Sequence, residues 1–254
     1  MTCEHTLCLT CHTQVLSRDS RARAQWLAVD RRVSWKTSET ALVICDMWDA
    51  HWSRGAQERV GDLAICINQV VQAARGSGMQ IVHAPSETIG VYRGTPARER
   101  IARTAPVALP LPVERPDPPL PIDDSDGGSD TGESSPYKAW HQQHPAIVID
   151  HDRDVISDDG REVYSFLRQR GLEHVIMVGV HTNMCVLNRT FGIKQMVRCG
   201  VDTVLVRELT DAMYNPAMRP YVSHDEGTRL VVSYIEKYWC PTIGVTELLQ
   251  AVCP

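Results

Sequence analysis

From residue 40 onward, short apolar runs alternate with amphipathic stretches, and few folds accept that order. The runs at 41–45, 80–83, 146–150, 175–180 and 203–207 have the length of strands and the continuous apolar character of strands covered on both faces. Between them, 56–75, 162–170, 185–198 and 227–238 carry apolar residues at helical spacing, with a short terminal helix at 245–252. Strand, helix, strand in repetition implies a parallel sheet between two helical layers, a three-layer Rossmann-like α/β fold. Gly76, Gly171 and Gly200 stand where helices should close, the position that best tolerates a left-handed cap.

Two regions depart from the pattern. Residues 21–36 alternate weakly and suit an edge strand or a hairpin leading into the first buried strand. Residues 105–136 hold eight of the fifteen prolines and an Asp-rich run at 123–130, so they form a long loop rather than a packed element. Such loops are usually lids, interfaces or disordered insertions. The run vaguely suggests a calcium loop, but lacks the twelve-residue spacing and the closing Glu, and a solvated loop fits better. The expected organisation is one α/β domain at 21–254 carrying this insertion, preceded by a flexible tail at 1–20. The tail contains Cys8-x-x-Cys11-His12, the spacing of a c-type haem attachment and equally of half a zinc site with Cys3, Cys8, Cys11 and a His.

Composition narrows the partners. A formal net charge of −5 with 22% charged residues argues against nucleic acid or an anionic membrane. No apolar run reaches membrane-spanning length and the first residues lack a signal-peptide pattern, so a cytoplasmic location is expected. At 254 residues no disulfide is needed for a stable core, and nine cysteines, mostly scattered singly, suit reduced thiols.

The segment Val-Gly-Val-His-Thr-Asn-Met-Cys-Val at 178–186 concentrates the chemistry. It brings Cys185 to the point where a buried strand gives way to a helix, where free backbone N–H groups favour a thiolate and can hold an oxyanion. The alternative is a small buried apolar cysteine. Sites in parallel sheets lie beyond the strands' C-terminal ends, where Asp46 and His83 also fall. A carboxylate beside a cysteine takes the thiol proton and returns it to a leaving amine.

The strand ending in Asp46, the strand ending in Gly179-Val180, the stretch Thr182-Asn183-Met184-Cys185-Val186 and the run Leu209-Thr210-Asp211-Ala212 together resemble the isochorismatase-like cysteine hydrolases, a family that includes nicotinamidases and ureidoacrylate and carbamoyl-sarcosine amidohydrolases. The resemblance covers about residues 38–240. It implies Cys185 as nucleophile, Asp46 as base and acid, a cis peptide at Val180-His181, and an oxyanion hole from backbone amides near His181 and Cys185. It also implies a lysine after the third strand. Residues 148–154 read Val-Ile-Asp-His-Asp-Arg-Asp, with no lysine. His151 or Arg153 is the candidate for the missing positive charge; of Lys36, Lys138, Lys194 and Lys237, only Lys138 lies within possible reach.

Nicotinamidases of this family hold a divalent ion through an aspartate and histidines. Here Asp62, His83 and Glu87 match that pattern poorly, and Asp49 with His51 is the candidate pair for an ion such as zinc, although the reaction requires no cofactor. Trp48, His51, Trp52, His83 and Tyr92 are candidates to line a pocket for a flat substrate, or else plain core. His224 precedes the last long helix, which Ser223 or Asp225 can cap. The functional expectation is a homo-oligomeric hydrolase cleaving a small amide-like C–N substrate through a Cys185 thioester. Its rivals are enol-ether cleavage with Asp46 as acid and no covalent step, and a non-catalytic ligand-binding relative.

Overall fold

A computed structural model describes residues 5–252. Its centre is one eight-stranded sheet. The strands are β1 (Thr6–Arg18), β2 (Ala24–Lys36), β3 (Thr40–Cys45), β4 (Gln80–Ala84), β5 (Val155–Ile156), β6 (His174–Val180), β7 (Asp202–Asp211) and β8 (Thr242–Ile243). Their spatial order is β2-β1-β8-β7-β6-β3-β4-β5. Strands β3 to β8 pair in parallel and the β1–β2 hairpin adds an antiparallel flank. The helices are α1 (Arg54–Gly76), α2 (Pro96–Ala102), α3 (Gly160–Gln169), α4 (Ile193–Arg198), α5 (His224–Tyr238) and α6 (Val245–Val252).

Strand alternation divides the interior. Ala41, Val43 and Cys45 with Val175 and Met177 face a core shared with α3, α4 and α5. Leu42, Ile44, Ile176 and Val178 face the opposite core, shared with α1 and α6. Those two cores are the three expected layers. Caps fix the helix starts: Ser53 accepts from the Ala56 amide, Asp159 from those of Arg161 and Glu162, and Ser223 from that of Glu226.

The structure corrects three expectations. Residues 6–18 are not a tail but strand β1, with Leu7, Leu9 and Cys11 buried in the α1/α6 core. Residues 146–150 are not a strand: Val148 is half exposed, and the strand beside β4 is the two-residue β5. The helix expected over 185–198 breaks, with a π-helical turn at Thr182–Val186 and α4 starting only at Ile193. Among the described residues, no helix is long and apolar enough to cross a membrane.

The 105–136 insertion has no regular structure, yet it is tied down along its length. The Val107 amide donates to Ser165, that of Val113 to the Arg198 carbonyl, and that of Asp123 to the Arg219 carbonyl. Its acidic run is spent on ties: Asp124 to Asn183, Asp126 to Asn215 and Asp130 to Arg59.

Gly179 lets β6 lie against β3 where the site begins. Its φ is 114°, and a Cβ there would come within 2.0 Å of the Cys45 carbonyl oxygen. A Gly179→Ala variant should lose at least about 3 kcal/mol in urea unfolding or fail to fold; a change under about 1 kcal/mol would contradict this packing.

Candidate active site

Three strand ends build the site. After β3, Asp46 takes a left-handed φ of 45°, a conformation aspartate tolerates better than most residues, and its side chain is fully buried. After β4, the Ser86 backbone N–H donates to Asp46 Oδ1 at 2.7 Å. After β6, the cis peptide Val180–His181 leads into the π-helical turn, in which the Met184 and Val186 amides both donate to the His181 carbonyl. Asn183 anchors that turn, its Nδ2 donating to the Met213 carbonyl and its Oδ1 accepting from the Met213 amide.

Cys185 lies on this turn beside the Asp46 carboxyl and the His181 backbone, both of which act on its thiol. The Arg189 amide donates to the Cys185 carbonyl, so Arg189 sits one turn on and on the same side. Its Nε donates to Asp46 Oδ2 at 2.9 Å, and its NH2 group stands 3.6 Å from Glu87. Asp46 is thus held between a backbone amide, a guanidinium and the cysteine.

The electrostatics follow from burial. Burial pushes the Asp46 carboxyl up, opposed by Arg189, Cys185 and Ser86. Burial and the neighbouring Asp46 charge push the Cys185 thiol well above its ordinary value. The helix N-terminus expected to favour a thiolate at Cys185 is thus opposed by desolvation and the facing Asp46 carboxyl, which push the thiol toward its protonated form.

The cation paired with Asp46 is Arg189; neither His151 nor Arg153 stands beside it. Arg153 is largely exposed, pairs with Asp150, and its carbonyl accepts from Gln80 at the N-terminal end of β4, opposite the site. The His151 carbonyl is bound there by Arg100. The residue directly after β5 is Ser157, whose hydroxyl donates to Glu162. Lys138 reaches the Glu87 carbonyl at 2.7 Å but not Asp46. Arg189 was legible as the residue four past Cys185, the same-face spacing on the expected helix.

A cavity of about 480 Å³ opens at Cys185, lined by Leu120, Asp124, Asn183, Met184, Asn188 and Arg189. That volume suits a small molecule. Leu120 and Asp124 bring the insertion into the wall, which sequence reasoning did not foresee. None of the five expected pocket residues lines it. His83 is wholly buried, with Nδ1 on Gln143 and Nε2 on Asp154, which Arg75 also binds; it is a structural hub. The Tyr92 hydroxyl is buried against the Gln143 amide. Trp48 stacks on Trp140 with centroids 4.1 Å apart, and His51 bridges Trp52 to the His181 ring.

The Asp49/His51 pair does not suit a metal. Asp49 Oδ1 accepts the His141 and Gln142 amides, and His51 Nδ1 accepts the Ser53 amide. Burial lowers His51 to about 4 and so keeps it neutral. Among the described residues no three His, Cys, Asp or Glu side chains are grouped for an ion. In the N-terminal segment Cys8 is exposed, Cys11 is buried and His12 binds Asp30, so that motif does not converge either; Cys3 lies outside the described residues. Ser223 caps α5 as expected, and His224 beside it joins Asp211 and the Tyr214 carbonyl, while Arg59 links Asp211 to Asp130 of the insertion.

Residues 40–217 match the model of the isochorismatase domain. The chain belongs to the isochorismatase family. Its fold is shared by a cysteine hydrolase from Pseudomonas syringae pv. phaseolicola 1448A, with 16% identity, a TM-score of 0.57 and coverage of 85% of this chain and 93% of that one. A putative isochorismatase from Burkholderia xenovorans LB400 has 16% identity and a TM-score of 0.51 over 84% and 87%. No curated protein matches. As an isochorismatase-family member the chain is of hydrolytic type, and the family's segment contains Asp46, Cys185 and Arg189.

With the thiol raised, alkylation of Cys185 by iodoacetamide should be slow at pH 7 and climb about tenfold per pH unit beyond pH 9. A rate that levels off below pH 8, followed by peptide mass spectrometry, would contradict the protonated resting state.

Proposed function

We propose that this isochorismatase-family protein is a cysteine hydrolase that cleaves a C–N bond of a small amide-like substrate through a thioester on Cys185. The observation carrying this reading is the Arg189–Asp46 contact beside Cys185, which returns to the site the positive charge missing after the third strand. An ionised Asp46 is the acceptor a protonated thiol requires.

Substrate binding expels water, and Asp46 takes the Cys185 proton as the sulfur attacks the carbonyl carbon. The C–S bond forms while the carbonyl π pair moves to oxygen, where the backbone amides at His181 and Cys185 receive the negative charge. Collapse breaks the C–N bond and Asp46 gives its proton to the leaving nitrogen. Water then attacks the thioester with Asp46 taking a proton; collapse releases the acid and the Cys185 sulfur, which recovers the proton. Arg189 holds Asp46 in place throughout and is paired with it whenever Asp46 is charged. The volume of the cavity suits a small-molecule substrate.

A second reading has its own support. Burial pushes the Asp46 carboxyl up, which favours a role as acid in cleaving an enol ether without a covalent step. A panel of small primary amides and carbamoyl compounds, assayed with rapid-quench mass spectrometry, separates the two. The cysteine-hydrolase reading expects an acyl adduct on Cys185 and losses of about 10² to 10⁴-fold in kcat/KM for Cys185→Ser and Asp46→Asn. Arg189→Lys should retain more activity than Arg189→Met. Full amide turnover by Cys185→Ser would overturn the thioester step, and turnover by Cys185→Ser of an enol ether added to the panel, with no amide cleaved, would favour ether cleavage.

A further inference from the structure

The β1–β2 hairpin lies outside the stretch matched by the isochorismatase domain, and no part of the site uses it. Its strands pair without a bulge from Thr6↔Lys36 to Arg18↔Ala24, and β2 is the outermost strand of the sheet. Residues 24–32 are all exposed. Monomeric proteins protect such an edge with proline, lysine, a bulge or a covering helix. β2 contains no proline or glycine, and its one lysine, Lys36, stands at its last position, away from the exposed stretch 24–32.

The edge is also apolar. Leu7, Leu9 and Cys11 face the core with α6, and the same row of the hairpin continues through Val15, Leu27 and Val29, each about two-fifths exposed. On the opposite row, Leu16 is 61% exposed beside Trp26. Apolar residues emerging from a core along an open strand edge mark an association surface.

We propose that β2 pairs antiparallel with β2 of a second copy of this chain across a two-fold axis near Arg31, joining two sheets into one. The charges at the centre of the strand choose that occupant. With the axis at Arg31, Asp30 of each copy stands opposite Arg32 of the other, two attractive pairs created by one sequence. In the same register Val29 meets Val33 and Leu27 meets Trp35, so apolar pairs flank the axis on both sides of Arg31. Arg31 alone faces its own equivalent, on a side chain long enough to turn to solvent. Asp30 already binds His12 of its own hairpin at 2.5 Å, so its carboxylate is held on the face where the second copy's Arg32 arrives.

Sedimentation equilibrium and light scattering on the whole chain test this directly, without reference to any enzymatic activity. The wild type should have twice its 28.4 kDa chain mass at micromolar concentration. Leu27→Lys/Val29→Lys, which installs the lysines that natural edges carry, should run at the single-chain mass with unchanged far-UV circular dichroism. Asp30→Arg alone and Arg32→Asp alone should each weaken the dimer about tenfold or more, and the Asp30→Arg/Arg32→Asp double variant should recover wild-type affinity. A monomeric wild type overturns the proposal, as does a dimer that survives the paired lysines. Equal weakening in the double variant overturns the register.

Discussion

A single ion pair organises the site end of this molecule. Asp46 is completely buried, and an isolated carboxylate there would either protonate or cost several kcal/mol. Arg189 and the Ser86 amide bind its two oxygens and oppose the rise that burial imposes, beside Cys185. The break between the π-helical turn and α4 serves that contact. Gly192 passes so close to the Val186 carbonyl that a Cβ would sit 2.8 Å from its oxygen, and Gly160 packs against Thr190 in the same bend. An uninterrupted helix is absent where Arg189 must turn back toward the strand ends.

Around that pair, the insertion behaves as a fixed wall rather than a loose lid. Asp124 holds Asn183, the residue that also shapes the nucleophile turn, and Asp130 is locked through Arg59 to Asp211 and His224. Asp211 is held well into its ionised range by His224 and Arg59, and His224 is raised in turn by Asp211. The acidic residues that read as a solvated loop are therefore the fasteners that bring Leu120 and Asp124 to the cavity.

The central fold was legible because β3, β4, β6 and β7 are continuous apolar runs with few alternative uses. That Asp46 and Cys185 would meet was legible because both follow the C-terminal ends of such runs. What escaped did so for physical reasons. The apolar run at 146–149 mimicked a strand, but Ile147 and Ile149 each fill a separate core from an irregular loop, while the true strand β5 is too short to leave a pattern. His83 stands at a strand end, yet its alternation turns it inward to Asp154. The period of two in Leu7, Leu9 and Cys11 announced β1, but it overlaps a cysteine spacing that suggested metal binding in a tail. A cation was sought after the third strand, whereas the one paired with Asp46 comes from four residues past Cys185.

The most direct measurement of the central claim is the ionisation of Asp46 at pH 7, read by isotope-edited difference infrared spectroscopy with Asp46→Asn as the reference. The account predicts a carboxylate band in the wild type and a protonated carboxyl band in Arg189→Met. A carboxylate in both proteins, or a protonated acid in both, would contradict the claim that Arg189 sets the charge of the site.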